Sequence, residues 1–400
     1  MTTPVSSLFR DDHVPFALLR ERAFNLRWAT LPPDVIPLTA ADPDFAVAAP
    51  IIEAMTHYLR GGVLSYGPAE GLPAFRTACA TRRERTTGHA CDPSLLMAVD
   101  SAAAGMHHIA RFALAPGDDA IVFDPVDFLF KASVEAAGGT VRLLPLDPST
   151  GRLDLARLPA LLTPRTRLLG VCNPLNPLGQ LLAAEELRVL GEFAVAHDLW
   201  ILNDEIWSDI VFDGVPFVSL PTLSPAIAAR TFTVHGFSKS FGLAGLRIGY
   251  VLAPDAPRFE HLMDASLART TMTGAATVSQ IGAAAACNEG EPWLQAFIAH
   301  LQRMRDLAVH ELRAIPGVQV DVPAATYVIF PDVSAWAQPA TRLQEALLER
   351  HRVAVVPGAE RWFGPGATGH LRLCFATSEG VLREGLGRVR TGLEAMRALG

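Results

Sequence analysis

Between Pro50 and Gly290 the chain alternates short β-rich runs with segments of helical periodicity. Candidate strands are Leu95–Val99, Ala120–Phe123, Thr140–Leu144, Leu168–Cys172, Leu199–Asn203, Thr231–His235 and Ile248–Leu252. Helical spacing of apolar residues recurs between many of them, as in Ala184–His197. Parallel strands need crossovers long enough for a helix, so the alternation points to an α/β fold with a mostly parallel seven-stranded sheet, covered on both faces by helices. Ligands of such sheets sit beyond the carboxyl ends of the strands, so the residues just after each strand matter most.

After Gly290 the pattern changes. A long helix over Pro292–Ile315 leads to short strands near Gln319–Val322 and Tyr327–Phe330. A helix at Thr341–Arg350, strands at Val353–Val356 and Leu371–Phe375 and a last helix follow. The expected organisation is an arm with part of a small domain in residues 1–45, a large domain over 46–288 and a smaller α/β domain over 289–400.

Half of the 400 residues are hydrophobic and 19% are charged, which suits a globular enzyme and not a disordered chain. A net charge of −7 with no basic run gives no electrostatic case for nucleic acid or an anionic membrane. Apolar stretches are too broken for a membrane span, and Met1–Arg10 lacks the basic start and apolar run of a signal peptide. The five cysteines (Cys79, Cys91, Cys172, Cys287, Cys374) contain no Cys-x-x-Cys pair, so neither a disulfide frame nor a structural zinc is indicated, and the cytoplasm is the expected location.

Only two lysines occur, Lys131 and Lys239. Arginine replaces most surface lysines at little cost, but it cannot replace an amine that must lose its proton. Lys239 stands in His235-Gly-Phe-Ser-Lys-Ser-Phe-Gly-Leu-Ala-Gly-Leu-Arg-Ile-Gly-Tyr250, just after a candidate strand. There it suits a Schiff base with an aldehyde cofactor, with Ser238 and Arg247 as phosphate donors; the alternative is a turn with a surface lysine. Asp204, at the end of another candidate strand, suits the anion that keeps a pyridine nitrogen protonated, or else a helix N-cap. Asn176, in Cys172-Asn-Pro-Leu-Asn-Pro-Leu-Gly179, can donate to a phenolic oxygen or simply stiffen a loop. Asp100-Ser-Ala-Ala-Ala-Gly-Met106 marks a strand-to-helix turn whose amides can cradle phosphate. Arg372, in His370-Leu-Arg-Leu-Cys-Phe-Ala376, suits a substrate carboxylate or a structural ion pair. His107 and His108 read as ordinary helix residues, and Gly-x-Gly-x-x-Gly, P-loop, His-Glu-x-x-His and Gly-x-Ser-x-Gly motifs are absent.

Together these segments resemble the fold-type I pyridoxal-5′-phosphate (PLP) enzymes of the class I/II aminotransferase family, and the resemblance spans nearly the whole chain. It implies Lys239 as the Schiff-base and proton-shuttling lysine, Asp204 at the pyridine nitrogen and Asn176 at the phenolic oxygen. It implies Ala102, Ala103, Ser238 and Arg247 around the phosphate, and Arg372, with Ala41 and Asn176, at the substrate. Tyr66, in Ser65-Tyr-Gly-Pro-Ala-Glu-Gly, looks like the tyrosine that reaches the partner's phosphate in a homodimer with shared active sites.

A narrower resemblance, through Thr39-Ala-Ala-Asp-Pro-Asp-Phe45, Glu291-Pro-Trp-Leu294, Ala325-Thr-Tyr-Val328 and Val353–Gly358, is to cystathionine β-lyase-type C–S lyases. It leads to the expectation of β-elimination from an S-substituted cysteine. The alternatives are amino transfer to a 2-oxo acid, a specialised secondary-metabolic variant, or a catalytically quiet PLP-fold module. Two positions depart from the family pattern. Trp207 stands where tyrosine or histidine is usual, and Asp127 where an aromatic residue stacks on the cofactor ring. Either Phe128 takes over the stacking or that ring face is polar. Arg269 lies in a segment that could face the partner's site.

Overall fold

The computed structural model of the protein describes residues 5–397, so the first residues of the Met1–Arg10 segment lie outside the described part. Its strands are β1 (Ile36–Pro37), β2 (Leu96–Val99), β3 (Asp119–Asp124), β4 (Thr140–Pro145), β5 (Thr166–Cys172), β6 (Trp200–Asp204), β7 (Thr231–Gly236), β8 (Gly249–Leu252), β9 (Val328–Ile329), β10 (Val353–Ala354), β11 (Val356–Pro357) and β12 (Leu371–Cys374). Seven form one sheet in the order β2-β8-β7-β6-β5-β3-β4. Pairings among β3 to β7 are parallel, and β8 runs antiparallel to both of its neighbours. The expected α/β fold with a mostly parallel seven-stranded sheet is present.

Both faces of this sheet are covered. Leu96 and Ala98 of β2 belong to one apolar cluster, and Met97 and Val99 to the other, as the twofold alternation of a strand requires. Close cover depends on small residues. A Cβ on Gly105, in the helix Ala102–Ala113, would stand 2.6 Å from a Val234 methyl and 2.8 Å from a Val251 methyl. Glycine there lets the helix lie directly on β7 and β8.

The remaining strands form two small sheets. β1 pairs in parallel with β10, and β11-β12-β9 are antiparallel. The single strand expected over Val353–Val356 is two, because the chain leaves one sheet for the other between Ala354 and Val356. The strand expected near Gln319–Val322 reduces to one bridge between Gln319 and Asp332. There the Val320 carbonyl accepts from Arg313 instead of a neighbouring strand. Among the described residues, no helix is long and apolar enough to cross a membrane.

Candidate active site

Strands β2, β3, β5, β6 and β7 run the same way, because β2 and β7 are both antiparallel to β8. Their carboxyl ends therefore share one edge of the sheet. From that edge come Ala102 and Ala103 after β2, Asp127 and Phe128 after β3, Asn176 after β5, Asp204 at the end of β6, and Ser238 and Lys239 after β7. Arg247 enters just before β8, which starts at the same edge. Ala41, after β1, and Arg372, on β12, close the site from the opposite side. All of them line one cavity of about 460 Å³, within the usual range for small-molecule sites.

The Lys239 amine donates to the Ala41 carbonyl at 2.8 Å, and the Tyr327 hydroxyl donates to the same oxygen at 3.2 Å. Its nitrogen lies 5.2 Å from the centre of the Trp207 ring. Burial pushes the lysine down from its ordinary range; Asp42 and Asp127 oppose that, while Arg372 reinforces it. The neutral amine is thereby brought closer to use. Lys131, by contrast, is a surface lysine beside Glu135 at 3.9 Å and Glu360 at 4.0 Å. Trp207 is a buried wall residue, with its ring edge-on to Tyr327 at 4.6 Å.

Asp204 and Glu205 part company, as successive residues at a strand end do. Glu205 is buried with Arg83 at 2.8 Å and Ser219 at 2.6 Å, an internal ion-pair network. Asp204 turns to the cavity. The backbone N–H of Ile206 donates to it at 3.0 Å, and no basic side chain pairs with it among the described residues. Burial raises its pKa to about 7, against the lowering effect of that hydrogen bond. No helix follows Asp204, so the N-cap alternative falls.

Asn176 joins two charged side chains. Its Nδ2 donates to Asp127 Oδ2 at 2.8 Å, and its Oδ1 accepts from Arg372 at 3.4 Å. Arg372 also donates to the Thr39 carbonyl at 3.3 Å, while its Nε has no hydrogen-bond partner. It has no carboxylate within ion-pair range among the described residues, so the structural ion pair is not formed. Asp127 accepts from the Leu129 N–H at 3.1 Å as well. Phe128 is partly exposed and meets Trp362 edge-on at 5.6 Å. The helix Ala102–Ala113 is capped by Ser101, which accepts from Ala104 N–H at 3.0 Å. The amides of Ala102 and Ala103, in the first turn, have no acceptor within the helix and face the cavity wall.

Tyr66 stands apart. It is 93% exposed and lines a different cleft with Arg269 and Met272. Arg269 is already engaged by Glu260 and Asp264. Sequence reading missed Ile206, Trp362 and Phe363, which also line the cavity. They are apolar and carry no motif signal; only the fold brings them there.

These residues fit PLP and an amino acid. A lysine amine with weakened basicity, a buried carboxylate without a cation, helix-start amides and an arginine lacking a carboxylate share one cavity.

Residues 33–389 match the family described as aminotransferase class I and II. An arginine–pyruvate transaminase of Pseudomonas aeruginosa is 33% identical over 357 residues, 89% of each chain. A protein of Aquifex aeolicus named a probable aspartate/prephenate aminotransferase is 34% identical over 369 residues, 90% of this chain and 91% of its own. A PLP-bound protein of Clostridium difficile 630 superposes with a TM-score of 0.86 at 25% identity, over 94% of this chain and 97% of its own. The relatives are named aminotransferases, which overturns the expectation of a C–S β-lyase. The segments behind that expectation are partly framework, since Asp44 pairs with buried Arg27 and Trp293 packs in the core, and partly site, since Ala41 and Val356 line the cavity. The quiet-module alternative falls with the same comparison, since the relatives are enzymes. The chain is a PLP-dependent enzyme of fold type I and belongs to the class I and II aminotransferase family.

Proposed function

We propose that the protein is an aminotransferase that moves the amino group of an amino acid to a 2-oxo acid. The observation that carries this reading is Lys239 and Arg372 in one cavity, a proton carrier and a carboxylate clamp with no carboxylate of its own. The names of the relatives support amino transfer over the other outcomes.

In this reading Arg372 takes the substrate's α-carboxylate and, with Asn176 and the Ala41 segment, orients Cα toward Lys239. PLP, when bound, would supply a ring that accepts the Cα electrons. Lys239 Nζ removes the Cα proton and holds it for return. Asp204 would hold the pyridine nitrogen, and Asn176 Nδ2 the phenolic oxygen. Ala102 and Ala103 amides, Ser238 and Arg247 would hold the phosphate. Trp207, Phe128 and Asp127 wall the site.

We read the chain as a homodimer in which Tyr66 reaches the partner's phosphate. Its exposure, together with exposed Val63, Leu64 and Met272, supports that reading. We keep the division into residues 1–45, 46–288 and 289–400, supported by the pairing of β1 with β10 across the chain's ends. The cytoplasm is the proposed location, in keeping with five free cysteines.

The test supplies PLP, a panel of amino acids and a 2-oxo acid, and follows formation of the new amino acid. Transfer that disappears in Lys239→Ala supports the reading. Ammonia release without any new amino acid would overturn it.

A further inference from the structure

Three basic and two acidic side chains line the cavity: Lys239, Arg247 and Arg372 against Asp127 and Asp204. In the aminotransferase reading four of these are assigned to hold cofactor or α-carboxylate, and Asp127, a wall of the site at the expected ring-face position, has no ion-pair partner among the described residues. Resting on that reading, we propose that Asp127 selects an amino-acid substrate whose side chain ends in a cation, an ammonium or a guanidinium.

The surroundings of Asp127 support this. Lys131, the nearest basic residue in the sequence, pairs with Glu135 and Glu360 instead, and among the described residues no ion pair reaches Asp127. Its two hydrogen bonds, from Leu129 N–H and Asn176 Nδ2, leave acceptor positions free on a carboxylate that offers about four. The placement is directional. Arg372 and Asp127 stand on opposite ends of the Asn176 amide, so a substrate clamped at Arg372 has Asp127 one amide length away. Beyond Asp127 and Phe128 lies a second cavity of about 300 Å³, lined mostly by apolar residues together with Lys131 and its partners Glu135 and Glu360. The Phe128 ring, which lines both cavities, offers a cationic side chain a cation–π face. An acidic side chain would instead meet Asp127, with Arg247 and Arg372 already committed.

The experiment measures binding without turnover. α-Methyl amino acids cannot lose a Cα proton, so the absorbance change of the holoenzyme's cofactor reports their binding alone. α-Methyl-lysine is expected to bind at least about tenfold more tightly than α-methylglutamate. Asp127→Asn and Asp127→Ser should bring that ratio close to one. Equal or tighter binding of α-methylglutamate to the wild type would overturn the proposal. So would an unchanged ratio in a variant that retains the cofactor spectrum. If both variants lose the cofactor, the wild-type ratio decides. Amino transfer from lysine and glutamate is assayed alongside. A binding preference for the cation without any transfer would sink the aminotransferase reading and leave selection by Asp127 standing. Efficient transfer that favours glutamate would do the reverse.

Discussion

Ser240 donates a hydrogen bond to Asp209 at 2.6 Å, which ties the residue next to Lys239 to a buried ion pair between Asp209 and Arg82 at 2.9 Å. His235, at the end of β7, stands 3.5 Å from the same carboxylate. Burial opposes the Asp209 charge, but Arg82 and the bonds from His235 and Ser240 outweigh it and hold the carboxyl far below its usual range. The loop that carries Lys239 is thus fastened from beneath. Asp209→Ala would leave Arg82 buried with only Glu291, at 3.7 Å, and should cost about 3 kcal/mol of stability. A depressed carboxylate contributes above its unfolded pKa, so the gap between wild type and variant should be full above about pH 4 and shrink below it. Thermal unfolding from pH 3 to pH 8 checks this. A gap as large at pH 3 as at pH 8 would count against the ion pair.

Asp204 behaves in the opposite sense. Its carboxyl is raised to about 7 by burial, so without cofactor the folded protein loses stability as pH climbs from the ordinary carboxylate range toward neutrality. The loss has a ceiling of about 4 kcal/mol. Cofactor-stripped Asp204→Asn should therefore unfold at a higher temperature than stripped wild type at pH 8, with little difference at pH 4. The same variant should bind PLP more weakly, read from cofactor absorbance. An unaltered affinity would remove Asp204 from the pyridine.

Arg372 is held by Asn176 and the Thr39 carbonyl with its Nε unpartnered. Arg372→Lys keeps the charge but loses the planar fork that meets a carboxylate twice. We expect kcat/KM to fall by about a hundredfold or more for every amino donor, whatever its side chain. Initial rates with three donors of different charge test this. A loss confined to one donor would place Arg372 at the side chain instead.

Gly105 has no room for a methyl group against Val234 and Val251. Gly105→Ala should cost about 1–3 kcal/mol through overpacking, despite alanine's better helix propensity. Because Ala102 and Ala103 begin the same helix, PLP affinity should fall too. Denaturant unfolding and a cofactor titration measure the two effects. A variant as stable as wild type would show that the helix shifts freely.

The seven strands of the large sheet were legible because buried parallel strands are short apolar runs between helical segments. Lys239, Asp204, Asn176, Ala102 and Arg247 could be picked out for a related reason: each lies at or beside a strand end, where this architecture gathers its ligands. Lys131 and Lys239 could be told apart by their neighbours alone, one exposed beside glutamates and the other in the cavity. The small sheets were harder. Strands of two residues, such as β10 and β11, carry too little pattern to show that the chain changes sheets between them.

Amino-acid order alone settled the α/β class and singled out Lys239 as the candidate to bond a cofactor, because periodicity and residue chemistry are local properties. Which acid faces the cavity was a tertiary matter. Asp204 and Glu205 are adjacent and alike, yet the pleat turns one to the cavity and the other into the core. The Arg372–Asn176–Asp127 row likewise joins three distant segments, and no local pattern encodes that meeting. The segments that resembled a lyase divided once folded: Asp44 and Trp293 became framework, while Ala41 and Tyr327 came to lie beside Lys239.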